Sequence, residues 1–160
     1  MIMPGRYRRF IILAILAAVA DQALKIFMMG LLEPGQTREV IPRLLNLVMW
    51  HNPGAAFGGL GDWVHSRWIL AIIAAVAVVV CLWLLRGQWG RSMKVATCLG
   101  LVAGGAIGNL VDRIRFGWVV DYILVYYGDW YWPAFNLADI AITVSGILLV
   151  IFLWRMPQTK

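Results

Sequence analysis

The stretch Gly104-Gly105-Ala106-Ile107-Gly108-Asn109-Leu110-Val111-Asp112-Arg113, running on to Val119-Val120-Asp121, decides how this chain folds. It begins as a glycine-rich apolar helix and ends in amide, carboxylate and guanidinium groups. Ionisable groups at membrane depth are costly and are functional candidates by default. A second cluster, Asn136-Leu137-Ala138-Asp139, opens the next apolar segment. Asp121 and Asp139 are therefore expected to meet at a membrane surface and to act as a pair.

Composition supports the membrane. Of the 160 residues, 62% are hydrophobic and the mean hydropathy is +0.78, against roughly 45–50% apolar residues in soluble domains. Four apolar runs are long enough to span, at about residues 10–29, 68–85, 95–111 and 136–154, since a helix needs ~20 residues to cross the hydrocarbon core. The expectation is an all-α polytopic membrane protein, a single domain over residues 1–160, with outer loops at 30–66 and 112–135. The net charge of +6 is not read as a nucleic-acid signature. Arg6, Arg8 and Arg9 precede the first run, Arg86, Arg91 and Lys94 separate the second from the third, and Arg155 and Lys160 follow the fourth. Cations in alternate connections follow the positive-inside pattern and place both termini in the cytoplasm. The first run resembles a secretory signal, but apolar character resumes at Ala23-Leu24, so it is read as an uncleaved helix.

Inside the first run, Asp21 and Lys25 stand i,i+4 and share a face. They form either a self-neutralising structural pair or a buttress for a polar site. The loop that follows is punctuated by Pro34-Gly35, Pro42, Pro53-Gly54 and Gly58-Gly59, with strand-like Glu39-Val40-Ile41 and Leu44–Trp50 between. A small extracytoplasmic β element between helices 1 and 2 is expected. In Asn52-Pro53-Gly54-Ala55-Ala56-Phe57-Gly58, small residues permit close approach of another chain, and Asn52 offers it hydrogen bonds; a tight turn with Phe57 in lipid explains the same spacing. His51 and His65 lack a third ligand and are read as surface residues, and no metal or other cofactor is expected. Cys81 and Cys98 are read as small buried apolar residues. Gly100, Gly104 and Gly108 recur every four residues, a packing signal for transmembrane helices. Asn109, Asp112 and Arg113 share one face at the end of that helix, as do Asn136 and Asp139 at the start of the last.

Every conspicuous polar motif thus falls on one side of the membrane. The recurring functional group is the carboxylate. Two carboxylates in a poorly solvated site share a proton, and one then serves as base toward water while the other serves as acid toward a carbonyl. Spacing alone does not choose between Asp121 and Asp112 for that role. A proton-coupled transporter also carries intramembrane Asp and Lys, but it more often shows midplane charge and repeats. A lipid-interaction protein leaves the two carboxylates unexplained.

Five blocks in order resemble the motifs of the signal peptidase II (lipoprotein signal peptidase) family: Asp21-Gln22-x-x-Lys25, Asn52-x-Gly54-Ala55-Ala56-Phe57, Gly108-Asn109-Leu110-Val111-Asp112-Arg113, Val119-Val120-Asp121 and Phe135-Asn136-Leu137-Ala138-Asp139. The resemblance implies a membrane aspartyl endopeptidase of the bacterial inner membrane. Its substrate would be a diacylglyceryl-modified prolipoprotein, cut on the N-terminal side of the lipidated cysteine at the extracytoplasmic face. It further implies Asp121 and Asp139 as the catalytic pair. Asp21, Lys25, Asn52, Gly54, Asn109, Arg113 and Asn136 would bind substrate or support the site, and Asp112 would be structural. Membrane lipid is the other expected partner, and a monomer the expected state. Val111, Tyr122 and Leu137 are conservative departures from the family pattern. A lid formed by Asn52, Phe57 and the aromatic outer loops is the remaining expectation.

Overall fold

The computed structural model describes residues 3–54 and 66–156. Four helices carry the architecture: α1 (Gly5–Leu31), α2 (Ser66–Arg86), α3 (Met93–Arg115) and α4 (Leu137–Trp154). Each is long and apolar enough to cross a membrane. Large apolar side chains such as Ile15, Val19, Ile72, Val79 and Val150 point away from the protein. In water that surface would drive aggregation; in lipid it is solvated.

The most deeply buried helix is α3, which packs against the other three. Lipid tails are as apolar as leucine, so helices in a bilayer associate through close packing rather than through expulsion of water. The glycine ladder supplies that packing. A Cβ at Gly104 would stand 2.5 Å from the Ala14 carbonyl oxygen, and one at Gly105 would stand 2.6 Å from the Ala138 carbonyl oxygen. The backbones of α1 and α4 therefore lie directly on α3, on two faces of the same helix.

The helices run further than the hydropathy pattern indicates. Helix α1 begins at Gly5 and ends at Leu31, and α3 continues to Arg115. Asp112 and Arg113 are consequently helical, and the turn falls at Phe116-Gly117, where Gly117 takes a φ of 87°. Charged residues lowered the apparent hydropathy of a terminus that is nonetheless packed.

A four-stranded antiparallel sheet, ordered β1-β2-β3-β4, covers one end of the bundle. Strands β1 (Thr37–Ile41) and β2 (Leu45–Asn52) come from the α1–α2 connection, as expected. Strands β3 (Val119–Tyr127) and β4 (Trp130–Tyr131) come from the α3–α4 connection, so the sheet is not confined to the segment between helices 1 and 2. The run Val119–Tyr127 is rich in strand-forming Val, Ile and Tyr. Its apolar residues do not alternate cleanly because it is buried on both faces at its start. That pattern alone does not separate a buried strand from other apolar pieces.

The chain passes the bundle four times in alternating directions. The C-terminal ends of α1 and α3 and the N-terminal ends of α2 and α4 therefore lie at the sheet end, where the polar residues collect.

Candidate active site

Strand pairing brings the first residue of the site into place. Trp50 on β2 is the cross-strand partner of Asp121 on β3, and Asn52 is the partner of Val119. The Asn52 side-chain amide therefore reaches Asp121, donating from Nδ2 to Oδ2 at 2.8 Å. Asn52 Oδ1 accepts the Gly54 N–H at 2.8 Å. Gly54 itself has a φ of 120°, and a Cβ there would meet Leu70 Cδ1 at 2.6 Å. Only glycine fits both conditions. The remainder of that loop, including Phe57, lies outside the described residues.

A returning strap delivers the second carboxylate. After β4 the chain lies antiparallel to β3, with the Phe135 N–H donating to the Ile123 carbonyl at 3.0 Å. The next residue, Asn136, caps α4. Its Oδ1 accepts the Asp139 N–H at 3.0 Å, and the Asp139 Oδ2 accepts the Asn136 N–H at 3.1 Å, a reciprocal capping box. The Asn136 Nδ2 then donates to Asp121 Oδ1 at 2.8 Å. One asparagine thus fixes Asp139 through its backbone and carbonyl and Asp121 through its amide. Asn109 completes the set: its Nδ2 donates to Asp139 Oδ1 at 2.8 Å, and its Oδ1 accepts from the Asn136 Nδ2 at 3.2 Å.

Both oxygens of each carboxylate therefore accept N–H donors. Asp121 is 2% exposed. Burial pushes its carboxyl up to about 7; the amides of Asn52 and Asn136 pull the other way, and the neighbouring Asp139 charge adds to the rise. Beside it, burial raises the Tyr122 phenol to about 12. Its oxygen accepts the Leu137 N–H at 3.1 Å, satisfying an otherwise orphaned donor in the first turn of α4.

Asp121 and Asp139 open onto one cavity of about 600 Å³, whose wall also includes Asn52, Gly54, Arg113, Tyr131, Trp132 and Phe135. Arg113 is held there by its own helix, NH1 donating to the Asn109 carbonyl at 3.2 Å. His51, expected at the surface, is exposed and stands at the cavity wall with its ring 4.8 Å from that of Trp118. Tyr131 and Trp132, from the aromatic α3–α4 connection, also line this cavity.

Behind the cavity lies a different carboxylate cluster. Lys25, 1% exposed, pairs with Asp21 Oδ2 and with Asp112 Oδ2, each at 2.8 Å, and donates to Asn109 Oδ1 at 2.9 Å. Asp21 Oδ1 accepts the Ala138 N–H at 2.9 Å, and Asp112 Oδ2 accepts the Val120 N–H at 3.1 Å. Gly108 makes room for Asp21, whose Oδ2 would stand 2.5 Å from a Cβ at that position. Gln22, outside the expected set, donates to the Gly108 carbonyl and to Asp112 Oδ1. Its place beside Asp21 on the inward side of α1 was the available sequence signal.

The ten residues singled out in the sequence thus fall into two connected groups. Asn52, Gly54, Arg113, Asp121 and Asp139 face the cavity, Asp21, Lys25 and Asp112 form the cluster behind it, and Asn109 and Asn136 join the two. Among the described residues, no group of three or more His, Cys, Asp or Glu side chains is gathered to hold a metal ion.

Fold and site together define a multi-pass membrane protein with a carboxylate pair at one end of a helical bundle. The family pattern described as "Signal peptidase (SPase) II" matches residues 13–155. The chain is 44% identical to the lipoprotein signal peptidase of Pseudomonas fluorescens (strain Pf0-1), over 97% of this chain and 94% of that one. It is 43% identical to the lipoprotein signal peptidase of Symbiobacterium thermophilum, over 89% and 92% of the two chains. A solved bacterial membrane enzyme, determined by the in meso method at 1.9 Å resolution, superposes with a TM-score of 0.80 at 28% identity, covering 92% of this chain and 94% of its own. This chain belongs to the signal peptidase II family.

Proposed function

We propose that this protein removes the signal peptide from diacylglyceryl-modified prolipoproteins, cutting on the N-terminal side of the lipidated cysteine, with Asp121 and Asp139 as a water-activating pair. The observation that carries this reading is the shared cavity, in which two carboxylates held by amide donors face one space. The names of the relatives supply the substrate class.

In this mechanism Asp139 is the base. It sits in the first turn of α4 and accepts from Asn109 and the Asn136 backbone, at the wall of the shared cavity. Asp121 carries the shared proton, in keeping with a carboxyl pushed up to about 7. Asp139 takes a proton from water as the water oxygen bonds to the scissile carbonyl carbon. Asp121 gives its proton to the carbonyl oxygen, forming a neutral gem-diol. Return of a proton from Asp139 to the amide nitrogen, and of a diol proton to Asp121, breaks the C–N bond. The products are a signal peptide ending in a carboxyl group and a lipoprotein with a free amine on its cysteine. No covalent intermediate forms.

A diacylglyceryl anchor keeps the scissile bond near the membrane interface, so the sheet end is assigned to the extracytoplasmic surface. Both termini then lie in the cytoplasm, in agreement with the cations at the opposite end. We assign the protein to the bacterial inner membrane, as a monomer that works without a cofactor. The test is cleavage by purified protein of a prolipoprotein with and without its diacylglyceryl group. Cutting before the cysteine of the lipidated form alone is expected; inactivity on it would overturn the proposal.

A further inference from the structure

At the end of the bundle away from the carboxylates, Phe10 of α1 packs with Val95, Ala96 and Leu99 of α3. A Cβ at Gly100 would stand 2.8 Å from the Phe10 carbonyl oxygen and 3.2 Å from Leu13 Cβ. Beside this contact a groove of about 460 Å³ lies between the two helices, walled by Arg8, Arg9, Ile12, Leu13, Met93 and Thr97. Its wall below the arginines is apolar, formed by Ile12, which is 48% exposed, and Leu13, while Met93 at the start of α3 stands nearer the end of the bundle. Its upper rim is two adjacent arginines, both exposed. Ile12 and Leu13 follow Arg8 and Arg9 by four residues each, so the guanidinium groups stand one turn above the apolar wall.

These arginines lack a protein counter-charge. Among the described residues, neither makes an ion pair, and the nearest carboxylate along α1 is Asp21, some 18 Å away at 1.5 Å per residue. Neighbouring cations are engaged otherwise: the Arg6 guanidinium lies 4.9 Å from the Tyr7 ring centroid, and Lys94 Nζ lies 5.6 Å from that of Phe152. A ligand matching this groove needs an anionic head at the level of the arginines and an apolar body beneath it. A soluble anion would leave the apolar wall uncovered, and a neutral lipid would leave the two charges unmatched.

We propose that the groove between α1 and α3 is a binding site for an anionic phospholipid, its phosphate on Arg8 and Arg9 and an acyl chain against Ile12 and Leu13. Basic pockets between transmembrane helices bind such headgroups, with about 1 kcal/mol per cation near the surface. The site is separate from the carboxylate cavity, and its existence does not depend on the peptidase reading.

The experiment reads retention of phosphatidylglycerol by the full chain, released from nanodiscs of phosphatidylcholine and phosphatidylglycerol into native mass spectrometry. The Arg8→Gln/Arg9→Gln variant is expected to bind phosphatidylglycerol about thirtyfold more weakly. Arg91→Gln/Arg155→Gln, with the same change in net charge, should stay close to the parent. Ile12→Trp, which keeps both arginines and fills the groove, should also lose the lipid. Helical circular dichroism and a single elution peak verify the fold of each variant. Equal loss in the Arg91/Arg155 variant, or undiminished binding by Ile12→Trp, would reduce the effect to diffuse charge and overturn the site. Displacement of the lipid by inorganic phosphate alone would make the occupant a free anion and overturn it as well.

Discussion

The cluster around Lys25 and the cavity holding Asp121 and Asp139 are built from the same residue type, yet they differ in what neutralises it. Asp21 and Asp112 share a buried ammonium group at 2.8 Å from each. Among the described residues, Asp121 and Asp139 have only amide and backbone N–H donors within hydrogen-bonding distance, and they face open space. Asp121, held by neutral donors beside a second carboxylate, has its carboxyl pushed up to about 7 by burial, with the Asp139 charge adding to the rise. Asn109 joins the regions, accepting from Lys25 and donating to Asp139, so the cluster around Lys25 is tied directly to the cavity carboxylates.

That contrast breaks first if the cavity carboxylates prove dispensable. Asp121→Asn and Asp139→Asn should each lower cleavage of a lipidated prolipoprotein at least about a thousandfold, with thermal unfolding in detergent little changed. A thousandfold loss in Asp112→Asn alone would reverse the roles of the two regions.

Next in size is Lys25→Met, which strands Asp21 and Asp112 as uncompensated buried carboxylates. Removing one partner of a buried pair costs about 3–5 kcal/mol, so the variant should unfold at markedly lower temperature or fail to accumulate. Gly108→Ala tests the same region more gently: its Cβ would meet Asp21 Oδ2, an overpacking cost of about 1–3 kcal/mol.

The pH dependence sharpens the comparison. With Asp121 pushed up to about 7, kcat/KM should fall as pH rises through that value and the shared proton is lost. Asn52→Leu removes a hydrogen bond that favours the charged form, so its descending limb should move to higher pH. Stability follows the same sign. A carboxyl raised above its unfolded value of 3.8 favours folding below that pH, and the contribution is lost as pH rises through about 7. In Asp121→Asn this component of the pH–stability profile should vanish.

The smallest effect belongs to Tyr122→Phe. It removes the acceptor for the Leu137 N–H and should cost about 1 kcal/mol, read by denaturation, with cleavage reduced only modestly. Full neutrality would mean that the capping box alone fixes the start of α4.

Much of this was legible along the chain because membranes impose strong local rules. A lipid environment demands long apolar helices, punishes buried charge and leaves close packing to small residues. The four helices, the glycine ladder and the Asp21–Lys25 pair are therefore local statements, each written within a few turns of one segment. The motif blocks also marked the polar residues as belonging together. What local pattern did not contain was pairing between distant segments. The run Val119–Tyr127 became a strand because β2 lies beside it, and Tyr131 and Trp132 reached the cavity because a returning strap carried them there. Spacing in the sequence does not separate Asp112 from Asp121 as members of a catalytic pair. Only the tertiary structure set Lys25 against one and amides against the other, because the partner that tunes a buried charge arrives from another helix and is invisible in the spacing of its own.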